Sequence, residues 1–357
     1  MNTNSNTHNG HHLIIGGGGF VGRHVALVLA RRGHHVVIAN RTPPRCVFPV
    51  DIRDRITWTQ FNMTEPNGWE ALIDGAQVVH HYAWTTIPAT ANADPEGDLS
   101  VNVASTLSLL EALRRRTTPP SLIFASSGGT VYGKLQHIPV RENHPLEPIT
   151  AYGASKAAIE LYCGYYRAIH EIDCRVIRLA NPFGAGQDFA RGQGAVTTFL
   201  NNALTGEPIT IWGDGETVRD YIHISDAAAG IVALALAPRM LNGPWTFNIA
   251  SGQGVSLNKI VTELETQFNC KLDVRREAGR TFDVPVSVLD VTLAHTQLGW
   301  SPRLSFSEGI ARTIEDLERG VDFSTMEASV ESIFLRHPEV SPLIMRRSVD
   351  TITNNVA

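Results

Sequence analysis

The chain reads as an α/β protein: a parallel sheet covered by helices on both faces, with a smaller second unit interleaved toward the C-terminus. Three observations predict this. Through the first half, short and nearly continuous apolar runs alternate with helix-like stretches, the pattern of strands buried on both faces. A glycine cluster separates the first apolar run from the first helical stretch. After residue 181 the rhythm breaks into Gly- and Pro-rich segments with isolated helices and short strands. Right-handed crossovers turn such alternation into a Rossmann-type doubly wound sheet.

Residues 13–15 form the first strand and run into glycine. Over 21–32, Val21, Val25, Val28 and Leu29 share one helical face. Residues 36–39, 77–82, 121–125 and 174–179 are the further buried strands, with helices at 94–116 and 152–170 between them. The second half offers helices at 194–204, 256–268 and 306–319, while 220–250 returns to the earlier patterning. The expected division is therefore a dinucleotide-binding domain at 11–185, with 220–250 returning to it, and a second domain at 186–219 and 251–320. That second domain would lie over the C-terminal edge of the sheet, where open α/β sheets bind ligands. Residues 1–10 and 321–357 are tails that fit neither pattern.

The 357 residues carry a formal net charge of −5 with no basic stripe, so nucleic acid is not an expected partner. The longest apolar runs, such as 231–237, fall far short of a membrane span. The polar start over 1–12 has no apolar h-region and reads as a lead-in, not a signal peptide. Cys46, Cys163, Cys174 and Cys270 have no metal-ligand spacing and read as reduced thiols of a cytoplasmic protein. The pairs His34–His35 and His80–His81 do not make a metal site, because adjacent side chains rarely converge on one ion.

Gly16, Gly19 and Gly22, with Phe20 and Val21 between them, follow a strand and open a helix. Glycines at this spacing allow a tight turn, close approach to a pyrophosphate and close helix–strand packing. The helix N-terminus adds free N–H groups for phosphate. An acidic residue at the end of the second strand would mark NAD; here Asn40 and Arg41 stand there. Asn40 still suits a ribose hydroxyl, whereas Arg41 suits a 2′-phosphate and keeps NADP open.

Tyr152 and Lys156 are spaced i, i+4 on a helix and share a face. A phenol is a poor base at neutral pH. A nearby ammonium and an oxidised nicotinamide favour the phenolate and make it a workable proton acceptor. A third polar group should bind the reacting hydroxyl, and Ser127 at a strand end is the choice, with Ser126 and Thr130 as alternatives.

Together these pieces resemble the extended short-chain dehydrogenases of the NAD-dependent epimerase/dehydratase family, close to their UDP-glucose 4-epimerase branch, over residues 13–320. The glycine loop, the Tyr152/Lys156 pair and Val131-Tyr132-Gly133 match family motifs. So do Asn102, the segment from Arg178 through Asn181 to Gly184, Gly213-Asp214-Gly215 with Arg219-Asp220-Tyr221, and Arg280 with Asp283. The resemblance implies NAD held by the glycine loop, Asn40, Arg41, Asn62, Met63, Tyr82, Ala83, Trp84, Asn102, Tyr152 and Lys156. It implies a UDP-sugar held by Ser127, Tyr152, Asn181, Trp212, Arg219, Arg280, Asp283 and Ser287. Arg219 and Arg280 are planar donors suited to a diphosphate, and Trp212 offers a flat face to a pyrimidine. The implied reaction is C4 epimerisation through a 4-keto sugar. The implied assembly is a homodimer through the helices at 94–116 and 152–170, with Ala104, Leu107, Leu110, Ala158 and Leu161 as apolar faces.

Four positions depart from the family pattern: Gly128 where a hydroxyl is usual, Asn40, Asn62 where an adenine-binding Asp is common, and a bulky Trp84 beside the cofactor. A 4,6-dehydratase would need an acid pair, and a decarboxylase often has a Glu, where this chain has Gly128, Gly129 and Thr130. An NADPH-dependent keto-sugar reductase stays open through Arg41. A non-catalytic dinucleotide-binding relative would usually lose Tyr152 or Lys156, and both are kept.

Overall fold

The computed structural model describes residues 10–44, 48–65, 67–189, 194–279 and 284–319. The strands are β1 (His11–Ile15), β2 (Val36–Asn40), β3 (Ile56–Gln60), β4 (Ala76–His81), β5 (Ser121–Ser127), β6 (Cys174–Leu179), β7 (Asn181–Phe183), β8 (Ile209–Trp212), β9 (Val218–His223), β10 (Thr246–Ile249), β11 (Gly254–Ser256), β12 (Val274–Glu277) and β13 (Val286–Ser287). The helices are α1 (Phe20–Arg31), α2 (Trp69–Leu72), α3 (Pro88–Ala93), α4 (Pro95–Asp98), α5 (Ala104–Arg114), α6 (Ala151–His170), α7 (Ala195–Thr205), α8 (Ile224–Leu236), α9 (Leu257–Phe268), α10 (Thr292–Leu298) and α11 (Phe306–Glu318).

A seven-stranded sheet runs in the order β10-β6-β5-β4-β1-β2-β3, and every pairing in it is parallel. The strand order reverses between β1 and β4, so the crevice for a ligand opens there. The central strands earn burial on both faces: Leu13, Ile14 and Ile15 are buried, and so is every residue of β6. Ile14, Ile38, Ile123 and Ile177 face the side covered by α1 and α8. Leu13, Leu122, Phe124 and Val176 face the side covered by α5 and α6. Two arginines in β6 are tolerated because each meets a buried carboxylate, Arg175 with Asp173 and Arg178 with Glu160.

The smaller lobe holds the sheet β11-β9-β13, with β7 beside β9, and the β8–β12 pair. Its apolar core, including Phe199, Ile211, Tyr221, Ile260 and Ile310, is separate from the first two. Of the segment 220–250, α8 packs on α1 and β10 joins the large sheet, whereas β9 belongs to the small sheet. Strand β3 has no counterpart in the sequence reading. It is an edge strand with Thr57, Trp58 and Gln60 exposed, so it lacks a continuous apolar run.

The helix anticipated at 94–116 runs without interruption over 95–114: α4 passes through a π turn at Leu99–Val103 into α5, and such turns are frequent at functional sites. Leu110 is fully buried in the core and cannot form part of an outer apolar face, which corrects its expected place in a dimer contact. The outer face of α6 instead exposes Leu161, Tyr165 and Ile169. Among the described residues, no helix is long and apolar enough to cross a membrane.

Candidate active site

Gly16 takes a positive φ of 86°, and a Cβ there would lie 2.7 Å from the backbone nitrogen of Ala83. Gly22 lets α1 approach the loop, since its Cβ would lie 2.5 Å from the Gly16 carbonyl oxygen. No side chain caps α1 at Gly19, so the helix start keeps donors for a phosphate. The Asn40 Oδ1 accepts from the Gly18 nitrogen at 3.2 Å, tying the end of β2 to the loop. Arg41 is exposed beside it. These features fit a dinucleotide: a glycine cradle that side chains would fill, against an uncapped helix.

Around this cradle, Ala83 donates its backbone N–H to Ile15 at 3.0 Å. The Tyr82 hydroxyl bonds His80 Nδ1 at 2.6 Å, and His80 Nε2 bonds His12 Nδ1 at 3.0 Å. Asn62 closes a local turn with Thr64 and Glu65, and Met63 beside it is buried. Asn102, within the π turn, is fully buried. Its Oδ1 accepts from the Thr85 nitrogen at 2.9 Å and its Nδ2 donates to Asp98 at 2.9 Å, so its side chain binds the protein's own loop.

Thr150 caps α6 by accepting from the Gly153 nitrogen, which starts the helix just before Tyr152. Lys156 is only 3 % exposed. Its Nζ donates to the Ala125 carbonyl at 2.7 Å and lies 3.6 Å from the centre of the Trp84 ring and 5.6 Å from that of Tyr152. Trp84 meets Tyr152 edge to face at 6.1 Å. Burial lowers the Lys156 ammonium to about 7 against the opposing pull of Asp98 and Glu160. Burial, then Asp98, pushes the Tyr152 phenol above its ordinary value; the positive nicotinamide of an oxidised cofactor acts in the opposite direction. Asp98 was not singled out from sequence. It accepts from Thr86, from Asn102 and, at 2.5 Å, from the Ser155 hydroxyl.

The three hydroxyls at the end of β5 differ. Ser126 donates to Glu160, which holds Arg178 at 2.7 Å, so it is engaged in the interior. The Thr130 Oγ1 is buried without a hydrogen-bond partner. Ser127 is half-buried as the last residue of β5. At Gly128, a Cβ would lie 2.2 Å from Cδ2 of the buried Leu289. The room that a serine side chain would need there is taken by Leu289, which packs into the core on the α1/α8 side of the large sheet.

Among the residues expected to meet the substrate, the Asn181 Nδ2 donates to the Asp220 carbonyl at 3.0 Å. The Asp220 carboxylate is not paired with Arg219; it accepts from Ser251 at 2.8 Å and 2.7 Å, from Gly252 at 3.0 Å and from Leu289 at 3.3 Å. Burial nevertheless raises it to about 6. It clamps β9 to the segment after β10 and to the segment after β13. The Arg219 guanidinium donates to the carbonyls of Val218 and Val284. Trp212 is 41 % exposed and its Nε1 donates to Glu277 at 3.0 Å. Ser287 is buried and pairs in register with Arg219. Arg280 and Asp283 lie outside the described residues.

A glycine cradle at the switch point of a doubly wound sheet, with a half-buried Tyr152 and a buried Lys156 on one helix beside it, defines a nicotinamide-dinucleotide protein of the short-chain dehydrogenase class. Residues 12–250 match the NAD dependent epimerase/dehydratase family, and the chain belongs to that family. It is 30 % identical over 307 residues to a UDP-glucose 4-epimerase of Mycolicibacterium smegmatis, covering 85 % of this chain and 97 % of the relative. A UDP-glucose 4-epimerase of Thermotoga maritima, solved with UDP-glucose, superposes with a TM-score of 0.79 at 28 % identity over 87 % of this chain and all 100 % of the other. One from Thermus thermophilus, solved with NAD, superposes with a TM-score of 0.76 at 27 % identity over 85 % of this chain and 98 % of the other.

Proposed function

We propose that the protein is an NAD-dependent epimerase that inverts C4 of a UDP-hexose or UDP-N-acetylhexosamine. The observation that carries this reading is the Tyr152–Lys156 pair on one helix beside the glycine cradle, with Lys156 buried, in a chain whose full-length relatives include UDP-glucose 4-epimerases. Tyr152 takes the proton of the 4-hydroxyl and returns it. Lys156, oriented by the Ala125 carbonyl and the Trp84 face, favours the phenolate in its ammonium form. Ser127 steadies the same hydroxyl, since Ser126 is committed to Glu160. Bound NAD supplies the reversible redox step at C4. The glycine loop would hold its pyrophosphate and Asn40 its adenosine ribose, while Arg41, exposed at the end of β2, leaves NADP as an alternative.

Trp212, Arg219, Asn181 and, outside the described residues, Arg280 and Asp283 would receive the UDP portion. Ser287 would leave room at C2 for an N-acetyl group. Gly128 and Gly129 provide no acid for water elimination or decarboxylation. The working form is a homodimer through the outer face of α6, and the place of action is the cytoplasm, in keeping with free thiols at Cys163, Cys174 and Cys270. Interconversion of UDP-glucose and UDP-galactose by purified protein, without added cofactor, tests the reading.

A further inference from the structure

We infer that Asp98 is a positioning residue for the Tyr152–Lys156 pair: its carboxylate supplies the counter-charge for the buried ammonium and joins the elements that carry the pair. The inference rests on the reading of those two residues as the proton-transfer pair.

Charge balance comes first. Lys156 has one hydrogen bond, to a neutral carbonyl, and aromatic rings around it, Trp84 at 3.6 Å and Phe124 at 4.9 Å. No carboxylate touches it among the described residues. A buried ammonium needs compensation. Glu160, one turn along α6, already serves the Arg178 guanidinium through bonds of 3.2, 3.0 and 2.7 Å. That pair is close to neutral as seen from Lys156. His81, facing the site from β4, is held well below its ordinary value, at about 3, by burial and by the Lys156 charge, so it is neutral. Tyr152 is the remaining titratable neighbour. Asp98 is 1 % exposed and, among the described residues, its carboxylate takes hydrogen bonds from three neutral donors: the Thr86 hydroxyl, the Asn102 amide and the Ser155 hydroxyl. Among the described residues its negative charge therefore has no cation in contact, and the ammonium of Lys156 has no anion in contact. The two remain to balance one another across the site.

The donors also place it mechanically. Ser155 immediately precedes Lys156 on α6, Asn102 sits in the π turn, and Thr86 follows the segment that lays Trp84 against Lys156. One carboxylate thus ties together the helix of the pair, the turn, and the loop under the ammonium.

A fixed negative charge holds protons on its neighbours. It acts in the same direction on both members of the pair, favouring the ammonium and opposing the phenolate. Removing it must lower the pH at which the pair gives up its proton.

The test follows Tyr152 directly, by near-ultraviolet tyrosinate absorbance of the NAD-loaded protein against the same protein carrying Tyr152→Phe, across a pH titration. It needs no sugar, so a wrong substrate assignment does not affect it; an undiminished turnover of Tyr152→Phe would instead overturn the proposed function. Asp98→Asn is expected to lower the Tyr152 midpoint by about one pH unit. Asp98→Glu, which keeps the charge, and Ser155→Ala, which keeps the charge but removes one bond, are expected to leave it within about 0.2 unit. Should the asparagine variant not fold, Asp98→Ser removes the charge with a smaller side chain and gives the same readout. A midpoint in the charge-removing variant that matches the parent, or an equal shift in Ser155→Ala, overturns the inference.

Discussion

The ammonium of Lys156 lies 3.6 Å from the centre of the Trp84 ring, so an indole forms one wall of its surroundings. The contact lies in a buried setting, where a cation–π interaction is worth roughly 1–2 kcal/mol. Trp84→Ala is therefore expected to lower kcat about five- to tenfold while the dinucleotide stays bound. Trp84→Phe should keep most of the rate. Steady-state kinetics with the dinucleotide content of each variant checks both.

Tyr152→Phe is expected to remove most turnover, about a hundredfold or more, because it deletes the proposed proton acceptor and leaves the glycine cradle unchanged. Dinucleotide retention should be close to that of the parent. Turnover within about threefold of the parent would show that another group moves the proton.

Gly22→Val should yield protein without bound dinucleotide. Even a Cβ at Gly22 would stand 2.5 Å from the Gly16 carbonyl oxygen and 2.6 Å from the Gly17 Cα, both backbone atoms of the cradle. The loop must open to admit it, and the phosphate donors at the start of α1 lose their arrangement. Absorbance of the denatured supernatant gives the dinucleotide content, and a stoichiometric value would contradict the cradle.

The large sheet and the Tyr–Lys helix were legible because their signals are local: apolar runs for β1, β2, β4, β5 and β6, and i, i+4 spacing for Tyr152 and Lys156. β3 was not, because an edge strand with Thr57, Trp58 and Gln60 exposed has no apolar run to read. Adjacent residues of a strand point to opposite faces, so Ser126 and Ser127 could be separated only once Glu160 of α6 was seen to take Ser126. The exclusion of a side chain at Gly128 depends on Leu289, 161 positions away in sequence, and no local pattern carries it. Asp98 had a readable trace, four residues before Asn102 on one helical segment, but its meaning lies in Ser155 and Lys156, which approach only in the fold.

Leu161, Tyr165 and Ile169 form an exposed stripe at i, i+4, i+8 on α6, with Leu161 72 % and Ile169 64 % exposed. An apolar stripe of that spacing suits a helical interface. Leu161→Glu combined with Ile169→Glu is expected to convert the dimer to a monomer in light scattering at micromolar concentration. Leu110→Ala, buried in the core, should instead cost about 2–5 kcal/mol of stability. A parent that is already monomeric would contradict the proposed assembly.

Ser287→Tyr is expected to lower kcat/KM for UDP-N-acetylhexosamines at least tenfold while leaving UDP-hexoses within about threefold, since a steric clash excludes a substrate more sharply than a lost contact. Ser287 is buried beside Arg219 in the β13–β9 pairing. Equal loss for both substrate classes would mean that the residue packs the lobe and does not select the sugar.

The most direct test of the central claim is to supply UDP-galactose to the purified protein without added cofactor and follow the sugar by proton NMR. An epimerase that keeps its oxidised NAD forms UDP-glucose until the two epimers reach equilibrium, and releases one dinucleotide per chain when denatured. A protein that leaves UDP-galactose unchanged, and instead consumes added NADPH with a keto sugar, would contradict it.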